Sequence, residues 1–194
     1  MLFRSIVRGL LAAWRATQNA AYLTGAKKVG LSMGHDFWSA KGELHPILAL
    51  PSKEPFPYEK RWSREPGCLQ LKSALAWAQL AKHFPGEAFE DWWERALRYS
   101  LDTHLTFLPG VDDELKVMDR LHAYSYFLEA LLAATEHEEV RTALRWGIDR
   151  TGTLLREIGP VFERSDVNAQ LLRVRLMAHH MGVVQLDEIG RAHV

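Results

Sequence analysis

One cysteine in 194 residues, Cys68, excludes an internal disulfide and any thiolate metal cluster. It fits a reducing compartment, the cytoplasm first. An excess of one charge is also missing, with 24 Lys and Arg against 24 Asp and Glu. No basic face is implied, so neither nucleic acid nor an anionic membrane surface is an expected partner. No apolar run approaches the roughly 18 residues that a membrane span needs. Arg4 and Arg8 precede the apolar stretch Gly9 to Trp14, as in a signal peptide. That stretch is too short, and no clean small-residue cleavage site follows it. Phosphate loops, dinucleotide fingerprints and His-Glu-x-x-His helices are absent, so no cofactor and no metal site is expected. His179 and His180 are adjacent rather than four apart, which does not make a helical metal pair.

What is present is helical periodicity. Residues 6–23 predict one helix, with Leu10, Leu11, Trp14 and Ala21 on an apolar stripe. Residues 24–63 carry Gly25, Gly30, Gly34, Gly42, Pro46, Pro51, Pro55 and Pro57, and predict a long irregular loop with a short strand at His45 to Leu50. Phe37, Trp38, Phe56, Tyr58 and Trp62 argue that this loop is ordered, because disordered segments are aromatic-poor. From Ser63, a candidate cap before Pro66, five helices are expected: Leu69 to His83, Glu87 to Phe107, Lys116 to Thr135, Glu139 to Ile158, and from Ser165 or Asp166 to Met181.

The five alternate in kind. The second and fourth are amphipathic, with Phe89, Trp93, Leu97 and then Val140, Leu144, Ile148 inward. The first and third have almost no charge on any side, as in helices covered on both faces. The fifth is expected to follow them. Ala96-Leu97-Arg98-Tyr99-Ser100-Leu101-Asp102 echoes Ala143-Leu144-Arg145-Trp146-Gly147-Ile148-Asp149 at an offset of 47, and Asp119 and Asp166 stand at the same offset. A helical hairpin of about 50 residues is thus repeated.

This alternation resembles part of a six-hairpin, glycosidase-like α/α toroid, over residues 63–183. The resemblance implies an all-α fold of consecutive hairpins, a partial toroid with a long irregular N-terminal loop. It also implies a carbohydrate-active protein: a hydrolase, lyase or epimerase with a saccharide as ligand. The alternative is a helical-repeat scaffold that binds a protein or peptide.

Candidate site residues gather where the buried helices begin. Glu65, Asp119, His122 and Asp166 are candidate catalytic residues, since acid–base work on a sugar needs carboxyl groups or an imidazole. Asp119, His122 and Tyr126 recur at i, i+3 and i+7, followed by Glu129. Tyr124, Tyr126 and Arg120, with Trp38, Tyr58 and Trp62 of the loop, are candidate substrate contacts. Each has a structural alternative: an Asp at a helix start is a cap, and a buried His or Tyr completes a core hydrogen bond. Glu129 needs a cation, with Arg173 or Arg175 available.

The two ends resemble translated sequencing adapter. Met1-Leu2-Phe3-Arg4-Ser5 corresponds to GTG CTC TTC CGA TCT, and Glu188 to Val194 to the complementary AG ATC GGA AGA GCA CAC GTC. This implies a metagenomic fragment with non-native residues at 1–5 and 188–194. Residues 6–187 would then be one incomplete α/α domain, with self-association through truncated surfaces as an expectation.

Overall fold

A computed structural model describes residues 2–59, 63–108, 114–161 and 163–185. Among them are seven α-helices and no strand, so the fold is all-α. The chain divides into two compact units, residues 1–102 and 103–194.

In the first unit, α1 (Leu2–Thr17) buries Val7 and Leu11, one turn apart. It ends at Gln18, whose φ is 55°. Asn19 then caps α2 (Ala20–Asp36), its side chain accepting from the Ala21 N–H at 2.9 Å. The expected helix over 6–23 is therefore two helices. The loop expected from residue 24 starts only at Phe37. Its glycines act as helix-packing residues instead of breakers. A Cβ on Gly30 would lie 2.2 Å from Leu80 Cδ1, and one on Gly34 2.2 Å from the Trp92 ring. With Ala26 they form a small-residue row at i, i+4 and i+8, along which neighbouring side chains touch the backbone of α2.

Residues 37–59 and 63–67 are irregular, and the strand expected at 45–50 is only an isolated bridge, Leu48 with Pro55. A short 3-10 turn, Cys68–Gln70, leads into α3 (Leu71–Ala81). That helix buries Leu71, Ala74, Leu75, Ala76, Trp77 and Leu80, and packs on α1 and α2. The Trp77 indole donates to the Gly30 carbonyl at 3.0 Å. α4 (Phe89–Thr103) turns Phe89, Ala96, Leu97 and Ser100 inward and keeps its charges outside.

In the second unit, α5 (Glu114–Leu131) packs against both α6 (Glu138–Ile158) and α7 (Ser165–His180). Covered by two partners, it buries Val117, Met118, Leu121, Tyr124, Phe127, Leu128 and Leu131. Each such side chain contributes roughly 1.5–3 kcal/mol of transfer free energy before ordering costs. α6 is one-sided, as its periodicity requires. The sequence expectation fails at α7. Val167, Leu171, Val174 and Ala178 make one buried stripe, but Leu172, Leu176 and Met177 are exposed. Its apolar content is split between two faces, and only one has a neighbour among the described residues. No helix of the described residues is long and apolar enough to cross a membrane.

Candidate functional site

A cavity of about 240 Å³ opens in the first unit. Met33, Phe37, Leu44, Pro46 and Leu69 give it an apolar lining, and His45, Ser63, Glu65, Gln70 and Ser73 its polar groups. Two turns shape the loop that carries its residues 37 and 44–46. In the first, Ser39 N–H donates to Glu43 O at 2.8 Å and His45 N–H to Phe37 O at 2.8 Å. Gly42, with φ of 85°, closes this turn, a conformation that costs glycine least. In the second, Ala49 N–H donates to Glu54 O and Phe56 N–H to Ile47 O. The chain doubles back twice, so Tyr58 returns to His45, thirteen residues earlier.

There the Tyr58 hydroxyl lies 2.9 Å from His45 Nδ1 and donates to Glu43 Oε1 at 3.2 Å. Tyr99 of α4 reaches the other oxygen, Glu43 Oε2, at 3.5 Å. Burial and then the Glu43 charge push both phenols up to about 12, so each keeps its proton. Glu65 lines the cavity itself, as does Gln70, whose Oε1 accepts from Gly67 N–H at 3.1 Å.

The second unit holds a different constellation. Arg164 Nη1 donates to Asp119 Oδ1 at 3.0 Å and Nη2 to Asp166 Oδ2 at 2.6 Å. The His122 ring stands between Asp166, 3.7 Å from Nδ1, and the Tyr126 hydroxyl, 2.8 Å from Nε2. The Arg164 guanidinium holds the Asp166 carboxyl below the usual carboxylate range. Such a group stays ionised and is not a proton donor. Burial raises the Tyr126 phenol. Further along, Glu129 of α5 receives Arg173 and Gln170 of α7. Arg173 is one of the two cations considered for it. This seam joins the N-terminal half of α7 to α5.

Asp119, His122, Tyr126 and Asp166 therefore do meet, through Arg164, while Glu65 belongs to the cavity of the first unit. The aromatic candidates separate. Tyr58 touches the cavity-lining His45 from outside the cavity. Trp38 is stacked on Trp77 at 5.7 Å, with the Arg95 guanidinium 4.2 Å over its ring, so packing occupies it. Trp62 lies outside the described residues. Tyr124 is fully buried, its hydroxyl 2.9 Å from His104 Nδ1, where a ligand in solvent does not reach it. Arg120 donates to the Phe107 carbonyl at 3.1 Å and lies over that ring, tying α5 to Phe107. Sequence reasoning missed His45, Glu43 and Tyr99. They share no spacing: the double reversal of the loop brings Tyr58 to Glu43 and His45, and Tyr99 comes from α4. Among the described residues no group of three or more His, Cys, Asp or Glu could hold a metal ion. The chain matches no family model, no curated protein and no solved structure.

Proposed function

We propose that the chain is part of a carbohydrate-binding all-α protein whose ligand seat is the cavity of the first unit. One observation carries this reading: an apolar lining meets a carboxyl group, an imidazole, an amide and two hydroxyls in one concavity. The carbon-bound hydrogens of a sugar face suit Met33, Leu44 and Leu69, and its hydroxyls suit the polar set. At about 240 Å³ the space is below the ~300–1,000 Å³ of drug-sized sites, which favours a single ring over a polymer. Acid–base chemistry on that ring, whether hydrolysis, elimination or epimerisation, would fall to Glu65 and His45. Asp119 and Asp166, both bonded to Arg164, would hold α7 in place.

The test is a thermal-shift and NMR titration with single sugars, from D-glucose to D-glucuronate. Ligand binding to the folded state should raise Tm and move the methyl signals of Met33, Leu44 and Leu69. Ser73→Leu, which fills the space, should abolish both effects. A panel that leaves Tm and those methyls unmoved at millimolar sugar would end the carbohydrate reading.

A second reading, a scaffold for a protein partner, is favoured by the exposed row Leu172, Leu176 and Met177 on α7. Leu176→Glu would weaken such an association and leave sugar binding untouched.

A further inference from the structure

We infer that Glu43, Tyr58 and His45 form a hydrogen-bonded relay that leaves His45 Nε2 as a proton acceptor at the cavity, directed to a ligand that brings a hydroxyl. The inference rests on the cavity being the ligand seat, and it adds which atom does the work.

The reasoning is a count of protons. A carboxylate only accepts hydrogen bonds, so the Tyr58 proton is committed to Glu43 Oε1 at 3.2 Å. The Tyr58 oxygen can then only accept in its 2.9 Å contact with His45. The hydrogen in that contact must sit on His45 Nδ1. A neutral imidazole carries one N–H, so Nε2 is bare. A hydrogen bond at one ring nitrogen thus decides what the other can do. Tyr99, donating to Glu43 Oε2 at 3.5 Å, holds the carboxylate from the side of α4. His45 lines the cavity, and among the described residues its Nε2 makes no hydrogen bond.

A bare Nε2 accepts a hydrogen bond; it does not donate one. It therefore favours ligands with O–H groups over ligands that offer only carbonyl or ether oxygens. If it takes the proton outright, the ring becomes imidazolium. Nδ1–H still donates to Tyr58, and the Glu43 carboxylate one link away balances the new charge. The proton moves from the ligand oxygen to Nε2, and no other bond is made or broken.

The test uses the whole chain with ¹⁵N-labelled histidine. Long-range ¹H–¹⁵N correlations above the ring's titration range should show His45 protonated at Nδ1 and bare at Nε2. Tyr58→Phe removes the acceptor, and the Nε2–H tautomer should then rise from a minor to the major form. Unchanged Leu44 and Met33 methyl signals would establish that this variant is folded. D-glucose serves as the probe. In the wild type it should shift His45 Nε2, and methyl 2,3,4,6-tetra-O-methyl-D-glucoside, which lacks hydroxyls, should not. An Nε2–H tautomer in the wild-type protein, which needs no variant to observe, overturns the inference. So does a tautomer indifferent to Tyr58→Phe. Absence of any methyl response to D-glucose, with the tautomer as stated, would instead sink the carbohydrate reading and leave the relay standing.

Discussion

Each unit pairs a histidine with a tyrosine beside a carboxylate, and the two regions do different things with them. In the first, His45, Tyr58 and Glu43 sit on a doubly reversed loop at the edge of a cavity. In the second, His122, Tyr126 and Asp166 lie between two helices, and Arg164 draws Asp119 into the same group. Residue types alone do not separate a site from a seam. The surroundings do: one cluster reaches a cavity through His45, and the other joins helices that are already in contact. A third pair, His104 with Tyr124, marks the far limit, buried among Phe127 and Trp146.

The contrast can be broken by substitution. The largest effect should come from the core of the second unit. Phe127→Ala, at a fully buried position, should cost about 3–5 kcal/mol in denaturant unfolding. A loss under about 1 kcal/mol would mean that α5 is not enclosed as described. Next comes the helix row in the first unit. Gly34→Ala places a methyl against the Trp92 ring and should cost about 1–3 kcal/mol by overpacking. A stabilised variant would restore the reading of Gly34 as a mere helix-breaker.

Tyr124→Phe leaves buried His104 Nδ1 without its hydroxyl and should cost about 1–3 kcal/mol. The same pair predicts a pH dependence. Burial depresses the His104 pKa in the folded state below the ordinary 6.5. The unfolded chain then binds the proton more readily. The stability contributed is full above 6.5 and is lost as pH falls through 6.5 toward the lower folded value. His104→Gln should flatten that part of a stability–pH curve.

Arg164→Ala should cost only about 0–1 kcal/mol, since both carboxylates are more than half exposed and screened. Its signature is acid sensitivity. Arg164 lowers the folded pKa of Asp166, so its contribution is present above the ordinary 3.8 and is lost as pH falls through the depressed value. In the variant that acid-side loss should vanish. A loss of several kcal/mol at neutral pH would show the seam to be far stronger than exposed ion pairs allow. Smallest of all, Tyr58→Phe at an exposed position should change stability by less than about 0.5 kcal/mol. A larger loss would make the His45 cluster another structural tie and erase the distinction between the regions.

The helices from Leu71 onward were legible because their stripes are local: residues three and four apart announce a face. Phe89, Leu97, Val140 and Leu144 lie where that periodicity puts them. The second helix was hidden because Gly25, Gly30 and Gly34 carry opposite meanings in isolation and in contact with Leu80 and Trp92. An apolar sequence on α7 could not reveal which of its faces has a neighbour. The seam was half visible, since i, i+3 and i+7 spacing located Asp119, His122 and Tyr126, while its organiser Arg164 stands outside the helix. Of the expected site residues only Glu65 lines the cavity, and Tyr58 reaches it through His45. His45 and Glu43 belong to it through a chain reversal that no periodic pattern encodes.

The placement of the indoles gives each half its own optical signature. Trp38, Trp77 and Trp92 stand within 6 Å of one another in successive pairs, 5.7 and 5.5 Å between centroids, so excitation absorbed by one is shared among them. They should produce a coupled near-ultraviolet dichroism that disappears when the first unit melts. Residues 103–194 contain a single tryptophan, Trp146, standing edge-on to His104 at 5.3 Å. A charged imidazole quenches indole emission. The light that Trp146 gives off, isolated as the difference from Trp146→Phe, is thus a native gauge of the proton on His104.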